Sequence, residues 1–406
     1  MPFEEYLPEQ AARLRRRLET PAWRRLIRCG AVEQARANRL PTPAEPSPDS
    51  LAADHLVARN ERQVRARIDA GERDPERLLV LLSRWDGPDG DGEVPLPGLS
   101  FLGLCLTWAC NARPKCRYCN QRPTRARMRL ADWKRVVTQA AESGSRPYVY
   151  LTGGEPLLWR ERLSGDDGLI RHAARLGCPA NVNTNAYLLT PAVALRLVSS
   201  GLAKLHVSLD SADPALHDHL TGQPGSWQQV IAGLENLQIA RELLGSDRPL
   251  VHLNCVLTRE NAWGFPELIR LILQMKKQRT AGYTGGRRGD PHFRDLGVHL
   301  VPVGGPQNAG LRLTADEVRR FYEETWPRAA AVWEEYEVAS GVPVEERVPF
   351  NDWAFFASAW RRVRHQGSLE DYAAACEAGD YARLALGPRC HIAPTQAFVL
   401  PDGNQY

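Results

Sequence analysis

The chain has 406 residues and an ordinary globular composition, with 43% apolar and 25% charged residues. Its 52 lysines and arginines nearly balance 48 aspartates and glutamates, so a polyanion such as nucleic acid is not expected as a partner. No apolar run is long enough to span a bilayer, and the polar start MPFEEYLPEQ does not resemble a signal peptide. We therefore expect no membrane association and a cytoplasmic protein, in which the nine cysteines are better candidates for metal ligands than for disulfides.

Residues 1–95 are predicted to be a helical N-terminal region. Leu14 and Leu18 lie one helical turn apart and can share a buried face. Four arginines lie between positions 13 and 17, and we interpret them as a solvated helix face rather than a nucleic-acid patch. The turn-rich segment DGPDGDGE (86–93) ends this region as a polar linker.

From residue 98, short apolar runs alternate with amphipathic stretches, which predicts a parallel sheet with connecting helices. The fold class is therefore α/β: a six-unit partial (β/α) barrel at residues 96–306, with the helical segment 1–95 before it and a helical C-terminal extension at 307–406. Chemistry in such barrels lies at the carboxyl ends of the strands. The six runs are LSFLGLCLT (99–107), YVYLT (148–152), ANVNT (180–184), KLHVSL (204–209), LVHLNCVL (250–257) and GVHLVPV (297–303).

The first strand leads into the segment CNARPKCRYCN, which places Cys110, Cys116 and Cys119 in one loop. Iron–sulfur clusters are held by thiolates, and closely spaced cysteines allow one loop to wrap a small cluster. Three ligands on a four-iron cluster leave one iron open to bind a small molecule. Two alternatives remain: a zinc site, which would need a fourth ligand such as Cys105, and a redox pair formed by Cys116 and Cys119.

This segment resembles the signature loop of the radical S-adenosylmethionine (SAM) superfamily. That loop is usually CxxxCxxC with an aromatic residue before the last cysteine, and Tyr118 occupies the aromatic place. Five residues, not three, separate Cys110 from Cys116, which lengthens the loop but still lets three thiolates converge. The resemblance implies a 4Fe-4S cluster on Cys110, Cys116 and Cys119, with SAM bound beside it.

The segment LTGGEP (151–156) resembles the GGEP motif of the same superfamily. The resemblance implies that Gly153, Gly154 and Glu155 hold the amino group of the SAM methionine half. A carboxylate facing an ammonium group makes a strong charge-assisted hydrogen bond. Taken alone, the segment is a common turn at a strand end.

Polar residues at the next three strand ends resemble further cofactor contacts of the family. They are Asn183 and Asn185 after the third run, Ser208 and Asp210 after the fourth, and Asn254 in the fifth. In the third-run segment VNTNAYLL (182–189), Ala186 replaces the usual glycine. A turn formed by the asparagine pair, and a polar turn that caps the next helix, are the alternatives.

The last segment, CHIAPTQAFVLPDGNQY, begins at Cys390, and twelve residues separate this cysteine from Gly403. This spacing resembles the opening half of the SPASM-type extension, which binds auxiliary iron–sulfur clusters. The resemblance implies an auxiliary 4Fe-4S cluster with Cys390 as a ligand. The alternative is that Cys390 is an ordinary buried thiol.

Together these motifs resemble a radical SAM enzyme over roughly residues 98–305. Such an enzyme generates a 5′-deoxyadenosyl radical and abstracts hydrogen from a peptide or a small-molecule biosynthetic substrate. The resemblance also implies a reductase partner, such as a flavodoxin or a ferredoxin. The rival class is a non-enzymatic zinc or iron–sulfur binding protein, which would explain the cysteines but neither GGEP nor the pattern of Ser208 and Asp210.

Overall fold

A parallel sheet of eight strands forms the centre of the described part of the chain, in the order β7-β6-β5-β4-β3-β2-β1-β8. The computed structural model describes residues 3–44, 67, 70–71, 99, 101–121, 128–142, 146–159, 161–277, 295–304, 306–341, 344, 347, 350, 354–356 and 396–401. The strands are β1 (Phe101–Thr107), β2 (Tyr148–Gly153), β3 (Ala180–Thr184), β4 (Lys204–Ser208), β5 (Leu250–Leu257), β6 (Gly297–Pro302), β7 (Ala354–Phe356) and β8 (Gln396–Val399).

Each of the six predicted runs contains one of the strands β1–β6, and these six lie side by side in chain order. Two strands were not predicted: β7 pairs with β6 at one edge, and β8 pairs with β1 at the other. With three and four residues, they are too short to show a periodic pattern. The described strands of the predicted extension 307–406 therefore continue the same sheet.

Most helices connect consecutive strands, as in a β/α repeat. Side-chain caps stabilise the N-termini of several helices. At one of them, the Thr314 hydroxyl and the Glu317 carboxylate form a reciprocal capping box. No helix among the described residues is long and apolar enough to cross a bilayer. The helices are α1 (Pro8–Leu18), α2 (Pro21–Arg28), α3 (Ala31–Ala37), α4 (Leu130–Glu142), α5 (Glu161–Ser164), α6 (Leu169–Arg175), α7 (Pro191–Ser199), α8 (Pro214–Thr221), α9 (Ser226–Leu244), α10 (Phe265–Met275), α11 (Ala315–Arg320) and α12 (Trp326–Ala339).

The two faces of the sheet differ in chemistry. Leu104, Leu151, Val182 and Leu205 lie in register on β1–β4 and are fully buried in the apolar core. Because side chains alternate along a strand, the neighbouring residues point to the opposite face, which we call the inner face. This face is polar: the His206 and His252 rings stack at 5.2 Å, for example. Apolar burial on the helix side fixes the strand register and leaves the inner face available for other chemistry.

The N-terminal helices pack on α9, and two of the four arginines are only partly exposed to solvent. Arg13 forms an ion pair with the buried Glu235 at 2.8 Å, and Arg17 binds the same carboxylate. Nearby, the Trp23 indole N–H donates to Asn236 Oδ1 at 3.0 Å. The prediction of a solvated face omitted this ion pair, because the partner of the two arginines lies more than two hundred positions away along the chain.

Candidate active site

The carboxyl ends of β1–β6 meet at one edge of the sheet, and the cysteine loop (residues 108–121) crosses this edge. The loop leaves β1 at Thr107 and carries Cys110, Cys116 and Cys119. Hydrogen bonds tie it to residues that follow β2, β3, β4 and β6. The three predicted cluster ligands therefore lie where barrel enzymes place their chemistry.

The three thiols are free and partly exposed. Burial raises the pKa of the Cys110 thiol, and it raises the pKa of Cys116 to about 12. The Asp210 carboxylate and the other two thiols add to the shift at Cys116, so all three thiols lie close enough to interact. Metal-free, Cys110 and Cys116 stay protonated at neutral pH, whereas a metal-bound thiol is deprotonated. The donor set fits a thiophilic cationic centre such as an iron–sulfur cluster.

Within the described ranges, no three His, Cys, Asp or Glu side chains converge on a point that one metal ion could occupy. Thiolates around a four-iron cluster each bind a different iron, so they need not converge in this way. Cys105, which a zinc site would need as a fourth ligand, is a buried residue of β1 with 3% exposure.

Two glycines at the end of β2 keep that strand paired with the chain that enters the cysteine loop. The Gly154 N–H donates to the Thr107 carbonyl at 2.6 Å, and the Glu155 N–H donates to the Ala109 carbonyl at 2.9 Å. A Cβ on Gly154 would lie 2.2 Å from the Ala109 oxygen, and Gly153 has a φ of +139°. Only glycine fits this close approach of two backbones.

The Glu155 carboxylate, expected to face the SAM ammonium group, accepts hydrogen bonds from protein donors in this structure. One oxygen accepts from the Leu157 N–H at 2.8 Å and the Thr184 hydroxyl at 2.7 Å, and the other from the Asn185 N–H at 2.8 Å. The residue is fully buried. Burial raises its pKa to about 7, and the three donors offset part of that shift.

Asn185 connects the end of β3 to the cysteine loop. Its side-chain amide donates to Asn111 Oδ1 at 2.8 Å and lies 3.8 Å from the Cys110 sulfur. The next residue, Ala186, has a φ of +61°, a left-handed conformation that favours glycine. Alanine thus keeps the turn that the family pattern assigns to glycine.

Asp210, two residues beyond β4, also faces the protein. Its carboxylate accepts from the Val256 N–H at 2.9 Å and from the Tyr118 hydroxyl at 2.5 Å. Burial raises the pKa of this carboxyl group, and the nearby His217 partly offsets the rise. The structure therefore joins two residues that the sequence analysis singled out for different reasons.

Asn183, Ser208 and Asn254 lie together on neighbouring strands and are all partly exposed. The Asn254 amide donates to Asn183 Oδ1 at 3.2 Å. Its own Oδ1 is buried and has no hydrogen-bond partner in the part of the chain that the structure describes. A buried amide oxygen without a donor is costly, and a donor on a bound ligand would satisfy it.

The sequence analysis missed a group of hydrogen bonds that joins the segment after β6 to the cysteine loop. The Asn308 amide donates to the Tyr118 carbonyl at 2.9 Å and to the Gly304 carbonyl at 2.7 Å, and the Asn120 amide donates to the same Gly304 carbonyl at 2.9 Å. Nothing in the residue pattern around Asn308 marks it as a partner of the loop. Cys390, the predicted auxiliary ligand, lies outside the described residues.

Comparison with known proteins finds a family similar to the part of the chain that carries this site. The model of the radical SAM superfamily matches residues 105–290, which include the cysteine loop and strands β2–β5. This stretch of the chain is therefore similar to radical SAM superfamily domains.

Several curated relatives match parts of the chain. A PqqA peptide cyclase from Xanthomonas campestris pv. campestris is 31% identical over 246 residues, which cover 57% of this chain and 61% of that protein. A probable GTP 3′,8-cyclase from Methanopyrus kandleri is 32% identical over 43% of this chain and 52% of that protein. An AdoMet-dependent heme synthase from Methanosarcina barkeri is 30% identical over 33% and 38%. The chain thus spans about half the length of the curated relatives it matches.

Among solved structures, Streptococcus suis SuiB bound to the precursor peptide SuiA is similar to this chain, with a TM-score of 0.47 and 16% sequence identity. The match covers 85% of this chain and 71% of that one.

Proposed function

We propose that this protein is a radical SAM enzyme. The observation that carries the proposal is the cysteine loop, whose three free thiols lie over the carboxyl edge of a parallel sheet, inside the region that the family model matches. When both are bound, a reduced 4Fe-4S cluster and SAM supply a 5′-deoxyadenosyl radical that removes a hydrogen atom from a substrate carbon.

Cys110, Cys116 and Cys119 would hold the cluster. Hydrogen bonds from Asn185 and Tyr118 restrict the two ends of the loop that carries them, so the thiols are held by the scaffold before any metal binds. Bound iron would also offset the burial that now keeps the Cys110 and Cys116 thiols protonated.

SAM would bind beside the loop, at the strand ends that carry Gly153, Gly154 and Glu155 on β2, Asn183 and Asn185 on β3, Ser208 and Asp210 on β4, and Asn254 on β5. Two observations support this location. The Asn254 amide oxygen lacks a donor within the described residues, and Asn183 and Ser208 beside it are partly exposed. The two glycines bring the end of the second strand against the entry of the cysteine loop, and the Asn185 amide after the third strand lies 3.8 Å from the Cys110 sulfur.

The substrate class is less constrained than the chemistry, because the names of the relatives refer to a peptide, to GTP and to heme. The alignment to the peptide cyclase is the longest of these three. We therefore propose a peptide as the first class to test, and a small biosynthetic molecule as the second.

The wider setting follows from this chemistry. A one-electron donor such as a flavodoxin or a ferredoxin would reduce the cluster, and we place the enzyme in the cytoplasm. The spacing of Cys390 and Gly403 supports an auxiliary 4Fe-4S cluster in a SPASM-like extension. A non-enzymatic zinc or iron–sulfur binding protein, the alternative class, would use the cysteines but would have no use for the polar residues at the strand ends.

Anaerobic reconstitution with iron and sulfide, followed by metal analysis and an electron paramagnetic resonance (EPR) spectrum, tests the cluster. We expect at least one 4Fe-4S cluster per chain. Its loss in Cys116→Ala is expected because two thiolates do not hold a cluster with one open iron. Cys105→Ala is the matched control and should retain the iron, since Cys105 is buried in β1. Stoichiometric zinc without iron, or iron lost from Cys105→Ala and kept by Cys116→Ala, would contradict the assignment.

A further inference from the structure

Asp210 is fixed to the scaffold through its backbone as well as through its side chain. Its N–H donates to His217 Nδ1 at 3.2 Å, and its carbonyl accepts from the Asn261 amide at 2.8 Å. Burial lowers the pKa of His217, which keeps the imidazole neutral and able to accept at Nδ1. With the bond from the Val256 N–H to its carboxylate, Asp210 is held by α8, by β5 and by the turn after β5.

The remaining carboxylate oxygen of Asp210 is directed at the cysteine loop. It accepts from the Tyr118 hydroxyl at 2.5 Å, and Asp210 as a whole is only 1% exposed. Both oxygens therefore have protein donors, and solvent does not reach them. Because Asp210 is almost fully buried, a ligand could touch this side chain only after a neighbouring group had moved.

Tyr118 connects Asp210 to the cluster ligands. It lies between Cys116 and Cys119, and the Cys119 N–H donates to the Cys116 carbonyl at 3.0 Å, which closes a tight turn around it. The Tyr118 carbonyl also accepts from the Asn308 amide at 2.9 Å. With its hydroxyl on Asp210 and its carbonyl on Asn308, this residue is restrained at both ends.

We propose that Asp210 is a positioning residue for the cluster, which acts through the Tyr118 hydroxyl to set the relative placement of the Cys116 and Cys119 thiols. The inference rests on the proposed function, since it concerns the ligands of the cluster proposed there. It adds a role toward the cluster ligands to the cofactor contact expected of Asp210 from the sequence. Preorganised ligands of this kind depend on supporting residues outside the ligand set.

Tyr118→Phe tests the proposal with the smallest change, because it removes only the hydroxyl. In the reconstituted protein, we expect iron release to an anaerobic chelator to become roughly ten-fold faster, the scale expected for the loss of a hydrogen bond to a carboxylate. The EPR spectrum and the midpoint potential of the cluster should shift as well, which a merely structural role would not produce. Tyr336→Phe is the matched control: its hydroxyl donates to the Lys277 carbonyl at 3.3 Å, and its removal should leave all three measurements unchanged.

A double-mutant cycle with Asp210→Asn completes the test. If Asp210 acts through Tyr118, the double variant should show an effect no larger than that of Asp210→Asn alone. Wild-type release rate, spectrum and potential in Tyr118→Phe, or additive effects in the double variant, would overturn the inference. If Asp210→Asn does not fold, Tyr118→Phe decides alone. A wild-type protein that takes up no cluster would overturn the proposed function and this inference together, whereas an intact cluster that Tyr118→Phe leaves unchanged would overturn only the inference.

Discussion

Carboxylates largely shielded from solvent lie at both the amino and the carboxyl edge of the sheet, but their partners differ. At the amino edge, before β6, Asp295 binds the Arg241 guanidinium through two hydrogen bonds of 3.0 and 2.9 Å. At the carboxyl edge, the hydrogen-bond donors to Glu155 and Asp210 among the described residues are uncharged: backbone N–H groups, the Thr184 hydroxyl and a tyrosine hydroxyl.

This difference reverses the direction of the pKa shift. Burial alone would raise the pKa of Asp295, but Arg241 outweighs burial and lowers it. Burial raises the pKa of Glu155 and of Asp210, because their hydrogen bonds offset only part of the desolvation. At the amino edge, the Arg241 guanidinium compensates the charge of Asp295, and the pair stabilises the fold. At the carboxyl edge, beside the thiols, burial is not fully offset, and carboxylates with raised pKa values of this kind are typical of functional sites.

The largest effect on stability should come from the amino edge. Arg241→Met leaves the mostly buried Asp295 carboxylate without the guanidinium that binds it, and we expect a loss of about 3 kcal/mol in the free energy of unfolding, the low end for a buried pair. Urea denaturation of the metal-free protein measures this. Arg24→Met is the control, because its ion pair with Glu19 is exposed and should change stability by about 0.5 kcal/mol or less. Equal losses in the two variants would contradict the contrast.

The second-largest effect should be a difference between the two edges in how the free energy of unfolding depends on pH. The folded-state pKa of Glu155, about 7, lies above its ordinary value of 4.5. The contribution of Glu155 to the free energy of unfolding is therefore fully present below pH 4.5 and is lost as the pH rises through 7. Relative to Glu155→Gln, the metal-free wild type should lose about 3 kcal/mol across that window. The lowered pKa of Asp295 acts in the opposite sense, with stability lost as the pH falls below 3.8. If the free energies of unfolding of the wild type and Glu155→Gln differ by the same amount at pH 5 and at pH 8, Glu155 makes no such contribution.

A smaller effect is expected where the second strand meets the cysteine loop. Gly154→Ala places a Cβ against the Ala109 carbonyl, and overpacking of this kind costs about 1–3 kcal/mol. The backbone shift should also lower iron uptake on reconstitution. Gly264→Ala has open space around its Cβ and serves as the control. Normal thermal stability and normal iron content in Gly154→Ala would show that the contact is not tight.

Strands β1–β6 could be predicted because each carries an apolar row that packs under the helices, and such a row leaves a period in the sequence. The edge strands β7 and β8 are too short to leave one. The cysteine loop could be predicted for a similar reason, since its ligands are close together along the chain.

Contacts between distant segments could not be predicted in this way. Tyr118 and Asp210 are 92 positions apart, and Asn308 lies 190 positions from Tyr118. A motif also gives a residue type at a strand end but not the direction of its side chain. Glu155 illustrates this: the GGEP pattern gives a carboxylate after β2, and only the structure shows that its oxygens accept from the Thr184 hydroxyl and from backbone N–H groups.

Formation of 5′-deoxyadenosine is the most direct test of the radical SAM assignment. Reconstituted protein, reduced with dithionite and given SAM without substrate, should release the nucleoside slowly, as chromatography would show. Cys116→Ala should release none, whereas Cys105→Ala should match the wild type. An intact 4Fe-4S cluster in the wild-type protein with no 5′-deoxyadenosine formed would contradict the assignment.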